Sequence, residues 1–158
     1  AEKSFGINKT IGDLAGPMAF AILMGSSRAF YGKFGDKINL ERFMQYSAVL
    51  CMVSYLMIAF IPVPALGILG CAVCGLSVGI MWPGTFSMAA ASVKRGGTAL
   101  FALLALAGDV GCSSGPTYVG MISGALNDNL KLGIFAALIF PVLMIMGIKM
   151  IGSLQKYD

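Results

Sequence analysis

The chain has 158 residues, of which 58% are hydrophobic and only 11% are charged, and it contains no histidine. A soluble domain carries about 25% charged residues, so this composition, with a mean hydropathy of +0.85, excludes a soluble globular protein and predicts an integral membrane protein. The net charge of +4 is typical of a membrane protein whose basic residues set its orientation. No nucleic-acid partner is therefore expected.

Five apolar stretches are each long enough to cross a hydrocarbon core of about 30 Å, which takes about 20 helical residues. They cover about residues 14–31, 43–61, 65–91, 98–125 and 132–151. The predicted fold is therefore all-α, a polytopic transmembrane helical bundle forming one domain fragment over residues 1–158. The breaks between the spans are short, so neighbouring spans should be antiparallel.

The basic residues are divided unequally between the two ends of these spans. The larger set comprises Arg28, Lys33, Lys37, Arg42, Lys94, Arg95, Lys149 and Lys156, and the smaller set comprises Lys3, Lys9 and Lys131. Cytoplasmic loops carry an excess of Lys and Arg, so we expect a multi-pass protein of the plasma membrane with its N-terminus outside and its C-terminus in the cytoplasm. The odd number of spans, and an N-terminal stretch unlike a signal peptide, favour the C-terminal piece of a larger protein.

The turn GKFGDKINLER (32–42) joins the first two predicted spans. Asp36 precedes a helix predicted to begin at about Leu40, and we expect its carboxylate to cap that helix and to pair with Arg28, which can snorkel toward it. Two interpretations stay open. The turn is either a charged loop that only fixes topology or a gate latch formed by Arg28, Gly32, Asp36, Lys37 and Arg42.

The third predicted span is interrupted in the stretch CGLSVGIMWPGTFSMAA (74–90). Pro83 has no N–H to donate to the Gly79 carbonyl, so a backbone acceptor is freed at membrane depth, and such a group must be buried in protein or touch water. Trp82 shares a helix face with small residues and Thr85. It is predicted either as a flat surface for a sugar ring or similar solute, or as a packing or interface anchor.

The fourth predicted span contains one carboxylate, Asp109, which lies about 17 Å into the core if the helix rises about 1.5 Å per residue from Thr98. A charge at that depth costs at least about 2.5–3.5 kcal/mol if it faces lipid, so it should face protein or water. A helical wheel places small and polar side chains near Asp109 and bulky ones opposite. The near face comprises Thr98, Ala102, Ala105, Cys112, Ser113, Pro116, Gly120 and Ser123, and the far face comprises Leu100, Leu103, Leu104, Tyr118, Met121 and Ile122.

Two roles for Asp109 are consistent with this pattern. It is either a carboxylate that couples a proton or a solute, or a structural carboxylate that is hydrogen-bonded to a neighbouring helix. Gly111 and Gly115 form a small-x-x-x-small pair that would let another helix approach closely. The C-x-x-C formed by Cys71 and Cys74 lies in an apolar span without further ligands, so we expect packing there and no metal site.

Two of these stretches resemble motifs of the major facilitator superfamily. The 32–42 turn is similar to the family's G-x-x-x-D-(R/K)-x-G-R-(R/K) loop, with Asn39 and Leu40 in place of the glycine and the basic residue that follows it. GCSSGPTYVG (111–120) is similar to the G-x-x-x-G-P-x-x-G-G stretch of the family's fifth helix, with Val119 in place of the first of the paired glycines. The matching positions are Gly111, Gly115, Pro116 and Gly120, which the resemblance assigns to helix packing.

The resemblance implies helices eight to twelve of a secondary active transporter that works by alternating access, with an N-terminal half as partner and no cofactor. It implies a small polar solute, coupled to H⁺ or Na⁺, and GDVGCSSGP resembles the sugar-transporting, fucose-permease-like branch. The expected solute-binding or coupling residues are Asp109, Trp82, Ser113 and Thr85. The alternatives are a non-catalytic membrane subunit or pore and, less favoured because one deep carboxylate provides no acid–base pair, a membrane-embedded enzyme.

Overall fold

The computed structural model describes residues 9–61, 63–93, 96–127 and 129–154. Its helices are α1 (Lys9–Phe34), α2 (Leu40–Phe60), α3 (Pro64–Val78), α4 (Met81–Ser92), α5 (Gly97–Ala125), α6 (Leu130–Ala136) and α7 (Ile139–Leu154). A single 3-10 turn, Gly35–Lys37, joins α1 to α2. No strand occurs in these ranges, so the prediction of an all-α transmembrane bundle is confirmed.

Four stretches within the described ranges are long and apolar enough to cross a membrane: Leu40–Phe60, Ala65–Ser92, Gly97–Ala125 and Leu130–Ser153. The second of these joins α3 to α4 across the Gly79–Ile80 turn, and the fourth joins α6 to α7. Helix α1 overlaps the first predicted span but is not among the four, because its glycines, serines and Arg28 make it less apolar than the others.

Helix α1 packs directly against α3 through Gly75 of α3 and Gly79, the residue that follows α3. A Cβ added at Gly75 would overlap the main chain of Phe20, and one added at Gly79 would lie 2.8 Å from the Met24 carbonyl oxygen and 2.8 Å from Ser27 Cβ. The two backbones are therefore in contact, which is the geometry that small residues four positions apart permit in membrane helices.

Helix α2 packs on the other side of α3 through small buried residues. Ser54 of α2 and Ser77 of α3 are fully buried, and each hydroxyl donates to a carbonyl of its own helix, Cys51 and Cys74 respectively, at 2.7 Å. Because these polar groups are satisfied within their helices, the two helices can meet without an unpaired buried donor. A methionine-rich cluster around Met44 joins α2 to α4 and α7.

The N-cap of α2 is a residue for which the sequence analysis predicted no capping role. The N-cap residue is Asn39, whose side-chain oxygen accepts from the Arg42 backbone N–H at 3.1 Å. Asp36 instead lies within the 3-10 turn, and its side chain lies outside the described residues. Asn39 can take the N-cap role because it stands immediately before the first helical residue, and capping by Asp36 stays a prediction.

Helix α5 is the least enclosed of the long helices. Only Ser123 of its residues is buried, and its main neighbour is α6, with a smaller contact to α4. Its ends are marked by positive φ angles, 50° at Gly97 and 57° at Asn127, which favour glycine and asparagine. Most of the surface of α5 is therefore free of the other described helices.

Candidate functional site

Asp109 lies near the middle of α5 and lines an open groove of about 650 Å³ on that helix. The other lining residues are Val110, Ser113, Ser114, Thr117, Tyr118 and Met121. The side chain of Asp109 is exposed, and its carboxylate has no hydrogen-bond partner among the described residues. The groove therefore presents an open carboxylate at membrane depth.

The hydroxyl groups beside Asp109 are held by their own helix. Ser113 Oγ donates to the Asp109 carbonyl oxygen at 3.0 Å, and Thr117 Oγ1 donates to the Ser113 carbonyl oxygen at 2.8 Å. Since their hydrogens are used in this way, the hydroxyls offer oxygen lone pairs to the groove. Together with the carboxylate they form a row of acceptors, which suits a cation, a proton or a molecule rich in hydroxyl donors.

The helical wheel misassigned two residues of this groove. Tyr118 and Met121, which the wheel places opposite Asp109, line the same groove. The groove is wide and shallow, so it extends around the helix surface from Asp109 to the side on which the wheel places Tyr118 and Met121. Cys112, on the predicted near face, is exposed and free.

The glycines of the predicted packing motif have no neighbouring helix against them in the described part of the chain. A Cβ added at Gly111, Gly115 or Gly120 would meet no atom within 4 Å, and Pro116 is exposed within α5. No described helix packs against this face, so the packing role of the motif stays a prediction.

Trp82 packs against α5 at Gly108, a residue for which the sequence analysis predicted no role. A Cβ added at Gly108 would overlap the six-membered ring of Trp82, so the ring packs directly on the α5 backbone at this glycine. The ring also lies 4.8 Å from Phe86, which stacks on Phe101 of α5 at 5.7 Å. Trp82 is 46% exposed, so part of the ring stays open.

Gly108→Ala is expected to displace the Trp82 ring without unfolding the bundle. The overlapping atoms belong to the end of a side chain, which can move, and alanine improves helix propensity by about 1 kcal/mol. We expect acrylamide to quench Trp82 fluorescence more strongly in the variant, while the helix content measured by circular dichroism stays unchanged. Gly111→Ala, which meets open space, is the matched control, and equal quenching in the two variants would contradict the contact.

Thr85 is not brought to the Asp109 groove. Its hydroxyl donates to the Met81 carbonyl oxygen at 2.7 Å, and its side chain lines a separate cavity of about 170 Å³ that also contains Met44 and Met88. Of the four predicted binding residues, Asp109 and Ser113 share the groove, whereas Trp82 contacts α5 at Gly108 and lines a different cavity.

The predicted gate residues lie in two different places. Arg28 and Gly32 line a cavity of about 330 Å³ with Trp82 and Pro83, and the Arg28 Nε donates to the Gly79 carbonyl oxygen at 3.0 Å. The predicted partner of Arg28, the carboxylate of Asp36, lies outside the described side chains.

The remaining gate residues are exposed at the ends of α1 and α2. Lys37 closes the 3-10 turn, and Arg42 lines a polar cavity of about 420 Å³ together with Glu41 and Lys149. In the described structure this cavity lies between α2 and α7, away from Arg28.

Comparison with known proteins identifies the family. The Major Facilitator Superfamily matches residues 2–116, and no match was found among the curated proteins or the solved structures. The matched region is more than half of the chain and contains the charged turn, the interrupted span and Asp109. Together with the helical fold, this match shows that the chain belongs to the Major Facilitator Superfamily, whose members carry solutes across membranes.

Proposed function

We propose that the chain forms helices eight to twelve of a secondary active transporter that moves a small polar solute by alternating access, driven by a gradient of H⁺ or Na⁺. The observation that carries this proposal is the open carboxylate of Asp109, which lies near the middle of α5 without a hydrogen-bond partner among the described residues. An ionisable residue at membrane depth is a functional-site candidate by default.

The chemistry of the groove supports both coupling and solute binding. A proton or Na⁺ on the Asp109 carboxylate neutralises a charge that is costly at this depth. The acceptor row of Asp109, Ser113 and Thr117 matches the hydroxyl donors of a sugar. The exposed part of the Trp82 ring, which contacts the same helix at Gly108, provides a flat apolar surface of the kind that suits a sugar ring.

The packing of the helices supports a moving element that contains the groove. Helices α1, α2 and α3 are joined through buried small residues and main-chain contacts, whereas α5 contacts α4 through the aromatic residues Trp82, Phe86 and Phe101. Side-chain contacts of this kind rearrange at a lower cost than contacts between main chains. The open face of α5 is where we place the N-terminal half, with the charged turn in the cytoplasm and the protein in the plasma membrane.

Gradient-driven uptake into proteoliposomes tests the proposal. The intact transporter should accumulate a labelled sugar when an inward H⁺ or Na⁺ gradient is imposed, and an ionophore that dissipates this gradient should abolish the accumulation. Uptake that does not depend on either ion gradient, and that stops when the solute concentrations inside and outside are equal, would favour a pore. Absence of movement for every solute tested would favour a non-transporting subunit.

A further inference from the structure

The break between α3 and α4 leaves the carbonyl oxygen of Gly79 without its helical donor. In a continuous helix that oxygen would accept from the N–H of residue 83, but Pro83 has none. Helix α4 instead resumes with the Gly84 N–H donating to the Ile80 carbonyl oxygen at 2.7 Å. The Gly79 carbonyl therefore needs a donor from outside its own helix.

Arg28 supplies that donor from α1. Its Nε lies 3.0 Å from the Gly79 oxygen, although the two residues are 51 positions apart in the chain. The contact depends on the close approach of the helices, because Gly79 lies against Met24 and Ser27 of α1, and Arg28 follows Ser27 directly. A larger residue at position 79 would hold the carbonyl away from the guanidinium.

The same contact borders Trp82. Arg28, Pro83 and the Trp82 ring line one cavity of about 330 Å³, and Trp82 is the second residue of α4. The direction in which α4 leaves the break therefore sets the position of the ring on Gly108. Arg28 also lies only seven residues before the 3-10 turn Gly35–Lys37.

We propose that Arg28 is a positioning residue: by donating to the Gly79 carbonyl it replaces the hydrogen bond that Pro83 removes, and so fixes α4 with Trp82 against α5. This arrangement links α1, which leads into the charged turn, to the Trp82 ring at Gly108, the residue that precedes Asp109. The proposal rests on the proposed function only in naming Trp82 as part of a solute site.

Trp82 itself reports on this contact, because it is the only tryptophan of the chain. Arg28→Met removes the donor while keeping an apolar stem, and we expect it to shift the equilibrium toward a released ring by roughly 10- to 100-fold, the effect of one hydrogen bond to a charged group. Acrylamide quenching of Trp82 in the purified chain should rise accordingly. Arg28→Gln should lie between wild type and Arg28→Met, because the Gln amide nitrogen stands at the same number of bonds from Cα as Arg Nε but donates a weaker, neutral hydrogen bond.

Pro83→Ala provides the decisive comparison. Alanine restores an N–H at position 83, which can donate to the Gly79 carbonyl within the helix, so the donor from Arg28 is no longer required. Arg28→Met should therefore change Trp82 quenching strongly in the wild-type background and little in the Pro83→Ala background. Lys33→Met is the matched control, since Lys33 is also a cation of α1 but lies over the Phe34 ring, and it should change Trp82 quenching in neither background.

Several results would overturn the proposal. Equal effects of Arg28→Met in both backgrounds would show that its role does not involve the Gly79 carbonyl, and a Gln variant as impaired as the Met variant would show that only the charge matters. If Arg28→Met prevents folding, recovery of a monodisperse helical protein by Pro83→Ala supports the proposal, and failure to recover contradicts it. The fluorescence needs no solute, so a negative uptake assay bears on the proposed function alone.

Discussion

Gly75→Leu is expected to prevent α1 from packing on α3 and to abolish a stable folded bundle. The atoms that a side chain at position 75 would meet belong to the main chain of Phe20, which cannot move aside as a side chain can. Overpacking in a core typically costs about 1–3 kcal/mol, and we expect more than about 3 kcal/mol here because the two helices must separate. Thermal unfolding in detergent, followed by size-exclusion chromatography, measures the effect.

Gly67→Leu is the matched control for this prediction. Gly67 lies in the same helix, and a Cβ added there would meet no atom within 4 Å. The same substitution should therefore leave the folded fraction nearly unchanged. A Gly75 variant as stable as the Gly67 variant would show that α1 and α3 do not approach at this point.

Asp109→Asn is expected to abolish uphill accumulation in the intact transporter while preserving exchange of labelled for unlabelled solute. Asparagine keeps the size of the side chain and the acceptor oxygen, but it cannot bind and release a proton and holds a cation weakly. Because solute binding and the conformational change survive, downhill exchange continues without coupling. Measured accumulation under an imposed gradient should fall to the equilibrium level.

Two other outcomes would each assign Asp109 differently. If the variant still accumulates solute against its gradient, Asp109 is not the coupling residue. If it loses exchange and no longer folds, the carboxylate has the structural role in a helix contact. Ser114→Ala, a neighbouring change in the same groove, controls for a general disturbance of α5 and should retain gradient-driven accumulation.

Local chemistry made several features predictable from the sequence. The apolar lengths indicate the helices, and Pro83 indicates both the interrupted span and the freed Gly79 carbonyl. A single carboxylate in an apolar stretch indicates Asp109 as the candidate functional residue of α5. In each case the information lies within one continuous segment of the chain, so the order of residues alone is sufficient.

Contacts between helices were not predictable in the same way. The donor for Gly79 is Arg28, 51 positions away, and the support of Trp82 is Gly108. Both depend on the axial and rotational register of two helices, which many weak contacts determine together. The Asn39 cap of α2 was not predicted for a different reason: α2 begins at Leu40 as expected, but Asp36 and Asn39 both precede that start and both carry suitable acceptors.

The exposure of Cys112 provides a chemical reporter in the native chain. Cys112 is exposed on α5, whereas Cys51 and Cys74 are buried and Cys71 is half-buried. Maleimides react with the thiolate, which forms in water and not in hydrocarbon, so alkylation of Cys112 by a membrane-impermeant reagent measures how often this part of α5 is hydrated. The rate of that reaction in the resting and solute-loaded protein would follow the opening of the pathway without any engineered label.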